Sequence, residues 1–546
     1  MNIRVSELAR KIRNLALLAL LELSILVLLY IFRGYDDNAT VRWGWTVNNP
    51  ILFILIIIIS LISGYIFMFI RIKHKKTAIF LAAFFVSAIF WREPEIIIDA
   101  SRYFTYAKMA RVDGLFFFLS EWGRGFAVWT DLPGIPLLHA LIFEIFGEGR
   151  LVIQIFNSVL FSLTAVLVYL TGRELWNRET GITASIFFFA FPFIYSQIPL
   201  FLIDIPAMFF FSLSLYTFIR AVKKGGLWIP AASLAIVYAL FAKYSLWFYL
   251  LPLPLLMLRR NKKRGVISLS LAALIFILIF YIKSDVFIKQ IELLKSYQLQ
   301  GLKRWGESFT STFLFQISPF LSLAAILSLI EGYRKKDINV AIISAFILPV
   351  FLLHIDRIRY ILPVFPALAL LSSRGIANFG RRRGRFLAAS AAIFSVLLAL
   401  FFYLPFNCGT SASNLQQTGN YLNSVKTDSI GVLPLIPESY INPRITIPLL
   451  DIYTGKKISV IPYSYSKPPK NKLMESPFRF TWEYKLPDYY KTEGKPEIFV
   501  LITQKKNQKI PEKIEKELKK YKEIKEFGKS QGLFSYNTLV SIYKLS

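Results

Sequence analysis

The sequence predicts an all-α polytopic membrane protein of about 13 transmembrane helices, followed by a small C-terminal α/β domain. Three observations carry this. Of 546 residues, 55% are hydrophobic and only 18% charged, against about 25% charged in an ordinary soluble protein. Apolar runs of span length recur along the first 404 residues and fade afterwards, and runs of that kind are membrane helices by default. The basic residues are also segregated into the alternate connections between runs. Together these exclude a soluble enzyme, a disordered chain and a fibrous protein. The alternating ten-residue segments of an outer-membrane barrel are absent.

The spans fall, in order, at roughly 14–32, 51–70, 77–91, 150–170, 180–199, 205–222, 228–243, 245–258, 265–282, 312–331, 338–353, 361–376 and 386–404. With the N-terminus inside, the seven cytoplasmic segments hold 26 of the 64 Lys and Arg but 5 of the 34 acids. This is the positive-inside pattern, strongest at 71–76, 259–264 and 381–385. These segments supply 21 of the formal net charge of +30, and topology rather than a nucleic-acid partner is the expected reason. The expected location is the cell (plasma) membrane, multi-pass, with a cytoplasmic N-terminus.

Residues 132–147 have the hydropathy of a span, but counting them as one would turn the basic clusters at 259–264 and 381–385 outward. They are therefore expected as a surface helix in the large external loop 92–149. After residue 404 the composition changes: residues 405–546 carry 22 basic and 13 acidic residues among short apolar runs. The segment 429–433 reads as a strand, 496–503 as another, 510–527 as a helix with Ile514, Leu518, Tyr521, Ile524 and Phe527 on one face, and 533–543 as one or two strands. The division is thus a transmembrane domain over 1–404 and an extracytoplasmic α/β domain over 405–546.

One cysteine, Cys408, excludes an internal disulfide and any four-cysteine metal site. Three histidines leave little for a histidine metal centre. No cofactor is expected and no residue is assigned to a metal, with a divalent ion left open.

Chemistry is sought among charges at the external membrane boundary. Asp99 follows three isoleucines and opens a helical stretch with Arg102 and Tyr103, where a helix cap or an ion pair with Arg102 is the plain alternative. Asp131 precedes the surface helix, again in a capping place. Asp204 stands in a long apolar stretch, where a carboxylate faces a desolvation cost unless paired. Lys243 is flanked by apolar residues, and snorkelling is its plain alternative. Arg357 and Arg359 lie in H-I-D-R-I-R-Y (354–360). By the predicted topology all of these fall on one side of the bilayer, which scattered structural charges have no reason to do.

Residues 91–225 and 354–375 resemble the GT-C-type glycosyltransferases that use polyprenyl-phosphate-linked sugars, a superfamily that includes protein O-mannosyltransferases and lipid A aminoarabinose transferases. The resemblance rests on Asp99, Arg102, Tyr103, Tyr106 and Ala107; on Asp131, Pro133, Pro136, Phe146 and Gly147; on Arg150 with V-Y-L-T-G-R-E-L-W (168–176); on L-I-D-I-P-A-M-F-F (202–210); and on R-Y-I-L-P-V-F-P-A-L-A-L-L (359–371). Ala100 stands where family members often have a second acid, and Leu132 where aminoarabinose transferases have Lys. The W-W-D-x-G motif of oligosaccharyltransferases is absent.

The resemblance implies a GT-C-like fold and transfer of a sugar from a polyprenyl (dolichyl)-phosphate donor to a hydroxyl of an acceptor lipid, protein or glycan at the external face of the bilayer. A lipid-phosphate leaving group departs as a stable anion and needs no general acid. One carboxylate base plus cations for the phosphate therefore suffices for an inverting single displacement. Asp99 is the expected base. Arg359, Arg357, Lys243 and Arg102 are the expected phosphate ligands, and Asp131, Asp204 and Tyr103 the substrate-binding residues. The alternative is a flippase or transporter of lipid-linked saccharides, which would place charges near the bilayer midplane in matching halves.

Overall fold

The computed structural model describes residues 2–70, 73–258, 262–298, 306–427, 429–436, 440–491, 495–530, 534 and 536–546. The basic residues Arg71, Arg259 and Arg260, which helped set the topology, lie outside them, as does Leu533 in the last expected strand.

Among the described residues, seven helices are long and apolar enough to cross a membrane: Arg13–Ile31, Pro50–Phe67, Arg150–Leu175, Asp204–Lys224, Lys262–Ile282, Ile358–Phe379 and Arg381–Gly409. Other expected spans are shorter or interrupted. The 77–91 segment is a helix over Lys75–Ala88, and 180–199 is the helix Arg178–Phe187 followed by a 3-10 turn at Pro192–Ser196. The 245–258 segment splits into Ser245–Tyr249 and Leu253–Met257, with Pro252 between them. The 338–353 segment splits into Ile338–Ala345 and Leu348–Leu352. Proline removes a backbone donor and clashes with the preceding turn, so hydropathy persists through these breaks while the helix does not. Two helix starts are capped by asparagine: Asn49 accepts from Leu52 N at 3.0 Å ahead of Pro50, and Asn177 from Thr180 N at 2.9 Å.

The bundle packs through small residues. Gly172 faces the Gly181 backbone, and a Cβ placed on Gly375 would come within 1.9 Å of the Ala324 carbonyl. Close approach of backbones is how helices gain packing energy where apolar burial against lipid gives none. Apolar side chains such as Leu17, Ile51, Ile62, Ile277 and Leu278 are exposed on the outside of the bundle, as a lipid-facing surface requires.

The surface helix is Gly134–Phe146, of 13 residues. At 1.5 Å per residue it extends about 20 Å, short of the ~30 Å hydrocarbon core. It packs on the helix Ala100–Val112 and leaves Ile145 and Phe146 exposed.

The C-terminal region is a mixed five-stranded sheet with order β2-β1-β3-β5-β4. Its strands are β1 (Ser429–Leu435), β2 (Lys457–Val460), β3 (Ile498–Thr503), β4 (Tyr521–Phe527) and β5 (Leu539–Leu545). β2, β1 and β3 run parallel, while β5 is antiparallel to β3 and β4. Period-two alternation sends Ile430, Val432, Val500 and Ile542 into the main core, and Leu433, Phe499 and Leu501 onto the opposite face against Ile514 and Leu518.

One expectation is corrected here. The segment 510–527 is not one helix: the helix Glu512–Leu518 ends, and Tyr521–Phe527 is strand β4 with a bulge between Glu523 and Lys525. The Tyr521-Ile524-Phe527 spacing satisfies a helical face, but β5 offers a full antiparallel partner, and that ladder overrides a weak local preference. The last strand accordingly sits at 539–545 rather than 533–543.

Candidate active site at the helix ends

The site is built from ends of elements. Asp99 occupies the N-cap position of Ala100–Val112, yet its side chain makes no capping hydrogen bond. Arg102 is in the first turn of the same helix. Asp131 lies just before Gly134–Phe146, Asp204 opens Asp204–Lys224, and Lys243 ends Trp228–Ala242 in extended backbone. Arg359 sits in the short helix Ile358–Ile361, ahead of the turn at Leu362–Val364.

These ends converge into one chain of alternating charge. Asp131 Oδ2 lies 3.2 Å from Arg102 Nε, and Arg102 Nη2 lies 3.5 Å from Asp99 Oδ1. Asp99 Oδ2 meets Arg359 Nη1 at 2.5 Å, Arg359 Nε meets Asp204 Oδ2 at 2.8 Å, and Asp204 Oδ1 meets Lys243 Nζ at 2.5 Å. Three carboxylates and three cations balance, which is the condition for keeping charges out of water. The capping and snorkelling alternatives do not describe these side chains: each charge faces another charge.

Exposure separates the members. The side chains of Asp204 and Asp131 are 0% and 6% exposed, whereas that of Asp99 is 19%. Asp99 is thus the carboxylate of the chain with the most access to an incoming group. Burial by itself would raise its pKa, but the Arg359 and Arg102 guanidiniums outweigh that and hold it below the ordinary carboxylate value. Asp131 goes the other way: burial, with the Asp99 charge adding to it, pushes its pKa up to about 6 despite Arg102. Tyr103 is buried beside this pair, its ring 5.6 Å from the Arg102 guanidinium.

Arg357 lies to one side, 3.8 Å from Glu307 and 5.5 Å from the Tyr360 ring, over which Lys243 also sits at 5.3 Å. Glu307 is a buried residue the sequence reading did not single out; it accepts from Ile358 N at 3.1 Å and so steadies the turn that presents Arg359. Among the described residues no group of three or more His, Cys, Asp or Glu side chains gathers as a metal site would require.

The C-terminal region closes over this site. Phe480 lies against the Arg102 guanidinium at 4.1 Å, and Tyr484 is hydrogen-bonded to Thr105. Tyr453 Oη accepts from Glu95 N at 2.6 Å, and Asp451 pairs with Lys108 at 2.7 Å. Glu95 in turn pairs with Arg150 at 2.9 Å, tying the loop to the helix Arg150–Leu175. No local pattern marks these C-terminal contributors, since single aromatic residues in a polar segment carry no motif.

The model of the dolichyl-phosphate-mannose-protein mannosyltransferase family matches residues 131–287, a stretch that contains Asp131, Asp204 and Lys243. No curated protein sequence matches the chain. Among solved structures, ArnT from Cupriavidus metallidurans bound to undecaprenyl phosphate superposes with a TM-score of 0.53 at 11% identity, over 85% of this chain and 97% of that one. Its apo form gives 0.51 at 12% identity, with the same coverage of 85% and 97%. The Archaeoglobus fulgidus oligosaccharyltransferase in complex with Zn and sulfate gives 0.44 at 11% identity, over 78% of this chain and 68% of that one. The two ArnT superpositions show that most of the chain shares the ArnT fold. The chain thus combines several helices of membrane-spanning length with an ArnT-like fold, and its segment 131–287 is similar to the mannosyltransferase family.

Proposed function

We propose that the protein transfers a sugar from a polyprenyl-phosphate-linked donor to an acceptor hydroxyl at the extracytoplasmic face of the plasma membrane, by inverting single displacement with Asp99 as base. The observation that carries this reading is the position of Arg359 between Asp99 and Asp204, with Asp99 the accessible carboxylate. The undecaprenyl phosphate held by ArnT supports a lipid-phosphate donor, as does the mannosyltransferase family matched over 131–287.

In this reading the acceptor oxygen attacks the anomeric carbon as the bond from that carbon to the phosphate oxygen breaks. The electron pair leaves with the lipid phosphate, and the acceptor proton passes to the Asp99 carboxylate. Arg359, with Lys243 and Arg357, neutralises the departing phosphate; an Arg fork suits its oxygens better than a point charge does. A phosphate arriving at Arg359 competes with Asp99 for the same guanidinium. Donor binding thereby loosens the pair that depresses the Asp99 pKa and makes the carboxylate a stronger base when the donor is in place. Arg102, Asp131 and Tyr103 hold Asp99 in position, while Asp204 anchors Arg359 and Lys243. Residues 1–404 supply the donor side of the site, and 405–546 form an extracytoplasmic domain that closes it.

Purified protein incubated with a panel of polyprenyl-phosphate sugars tests the proposal by release of polyprenyl phosphate. Release with at least one donor and an added acceptor is the expected result; no release from any member of the panel sinks it.

A further inference from the structure

A cavity of about 170 Å³ is lined by residues that include Arg102, Tyr106, Trp129, Gln290, Phe480 and Tyr484, while Asp99, Arg359 and Lys243 do not line it. It is smaller than the roughly 300–1,000 Å³ of drug-sized ligand pockets, which suits one ring rather than an extended chain. Its walls come from three separate pieces: the external loop, the helix Ser284–Leu293 and the C-terminal region.

The lining is aromatic with a few fixed polar groups. Tyr106, Trp129, Phe480 and Tyr484 offer ring faces and edges. Gln290 is locked by donating to the Trp129 and Asp131 carbonyls, both at 2.9 Å, and by accepting from Tyr244 Oη at 2.7 Å. Arg102 Nη1 is buried and has no hydrogen-bond partner among the described residues, so a donor stands ready for a ligand oxygen. Trp129 holds φ at +49°, a left-handed conformation that costs a bulky residue energy and collects at ligand sites. Rigid aromatic faces combined with an amide and an unsatisfied guanidinium donor are the chemistry that recognises a saccharide: apolar C–H faces stack and hydroxyls accept.

We propose that this cavity is the acceptor subsite and that it takes one pyranose ring of the acceptor, making the acceptor a glycan or glycolipid. The inference rests on the glycosyltransferase reading above. In the order Asp131, Arg102, Asp99, Arg359, Asp204, Lys243, the carboxylate assigned as base stands between the cavity end and the phosphate end. The chain of contacts thus links the cavity, through Arg102, to the base and on to the phosphate ligands. It also gives the C-terminal region a role, since Phe480 and Tyr484 complete the cavity.

The test is saturation-transfer NMR on the full-length protein in detergent, with a panel of methyl hexopyranosides and, separately, a Ser/Thr-containing peptide as probes. Binding of polyprenyl phosphate is measured independently. Glycoside binding to the wild type, weakened about tenfold by Trp129→Ala and by Phe480→Leu with polyprenyl phosphate still bound, supports the subsite. If Trp129→Ala fails to fold, Phe480→Leu and Gln290→Leu carry the comparison. Absence of glycoside binding, binding untouched by all the substitutions, or selective binding of the peptide overturns it. Failure of the wild type to bind polyprenyl phosphate strikes the donor reading instead, so the two failures are distinct.

Discussion

Arg359 bridges two carboxylates from distant parts of the chain, with Nη1 2.5 Å from Asp99 Oδ2 and Nε 2.8 Å from Asp204 Oδ2. One guanidinium thus joins the loop 92–149 to the start of the helix Asp204–Lys224. The fixed fork of the guanidinium places separate nitrogens on the two carboxylates at once.

Asp99→Asn keeps the size of the side chain and removes its charge and basicity. The protein is expected to fold and bind polyprenyl phosphate, with transfer reduced about 10²–10⁴-fold, the usual range for a general base. Because Asp99 makes no capping bond, a loss of transfer is not explained by a lost cap. Transfer near the wild-type rate in a folded variant would remove Asp99 from the mechanism.

Arg359→Ala leaves Asp204, with a fully buried side chain, with Lys243 as its remaining partner. Removing one member of a buried ion pair costs about 3–5 kcal/mol, so a lower unfolding temperature is expected along with weaker donor binding. Arg359→Lys retains the charge and separates the two effects: stability should recover in part, while donor affinity stays reduced by about 1.5–3 kcal/mol for a lost charge-assisted hydrogen bond. Equal donor affinity in wild type and Arg359→Lys would contradict the assignment.

Asp131 gives the protein a pH signature. Its pKa, raised in the fold to about 6 from an ordinary 3.8, means the folded state holds a proton that the unfolded state has released. Stability from this group is therefore fully present below pH ~4 and is lost as pH rises through about 6, with a slope of at most about 1.4 kcal/mol per unit. Asp131→Asn should flatten that part of the unfolding profile. A slope unchanged in the variant would assign it to other groups, of which Asp451 and Asp36, also raised to about 6, come first.

Lys108→Ala should loosen the C-terminal region from the external loop. Asp451 is 1% exposed in its side chain, with Lys108 and Tyr490 Oη each at 2.7 Å. Without the ammonium, a buried carboxylate is left uncompensated. Faster limited proteolysis within 440–491 is expected, with partial rescue by adding Asp451→Asn. Proteolysis at the wild-type rate would show that the apolar and aromatic contacts hold the region alone.

Orientation is tested with an impermeant thiol reagent on intact cells, in a Cys408→Ser background. Both Lys263 and Lys470 are exposed. Lys470→Cys should label and Lys263→Cys should not; the reverse pattern would invert the topology and move the site to the cytoplasmic face.

The membrane class was legible because it depends on composition. The transfer free energy of a long apolar run is a sum over its residues, and neighbours in space do not enter. The same holds for the short apolar runs that mark β1 and β3. The segment 521–527 was misread because its pattern fits two periods, and only the presence of β5 selects between them.

From the sequence follow a polytopic helical protein with an α/β tail and a set of candidate charges, Asp99, Asp131, Asp204, Lys243 and Arg359, at the ends of apolar runs. A buried charge is conspicuous in one dimension because its desolvation cost is a property of its own segment. Tertiary structure alone decided which charge answers which. The Asp99–Arg359 pair spans 260 positions and the Asp204–Arg359 pair 155. Tertiary structure also decided that Phe480 and Tyr484 complete a cavity begun by Trp129. Such contacts are fixed by how helix ends and a distant sheet pack together, and no local pattern encodes the partner.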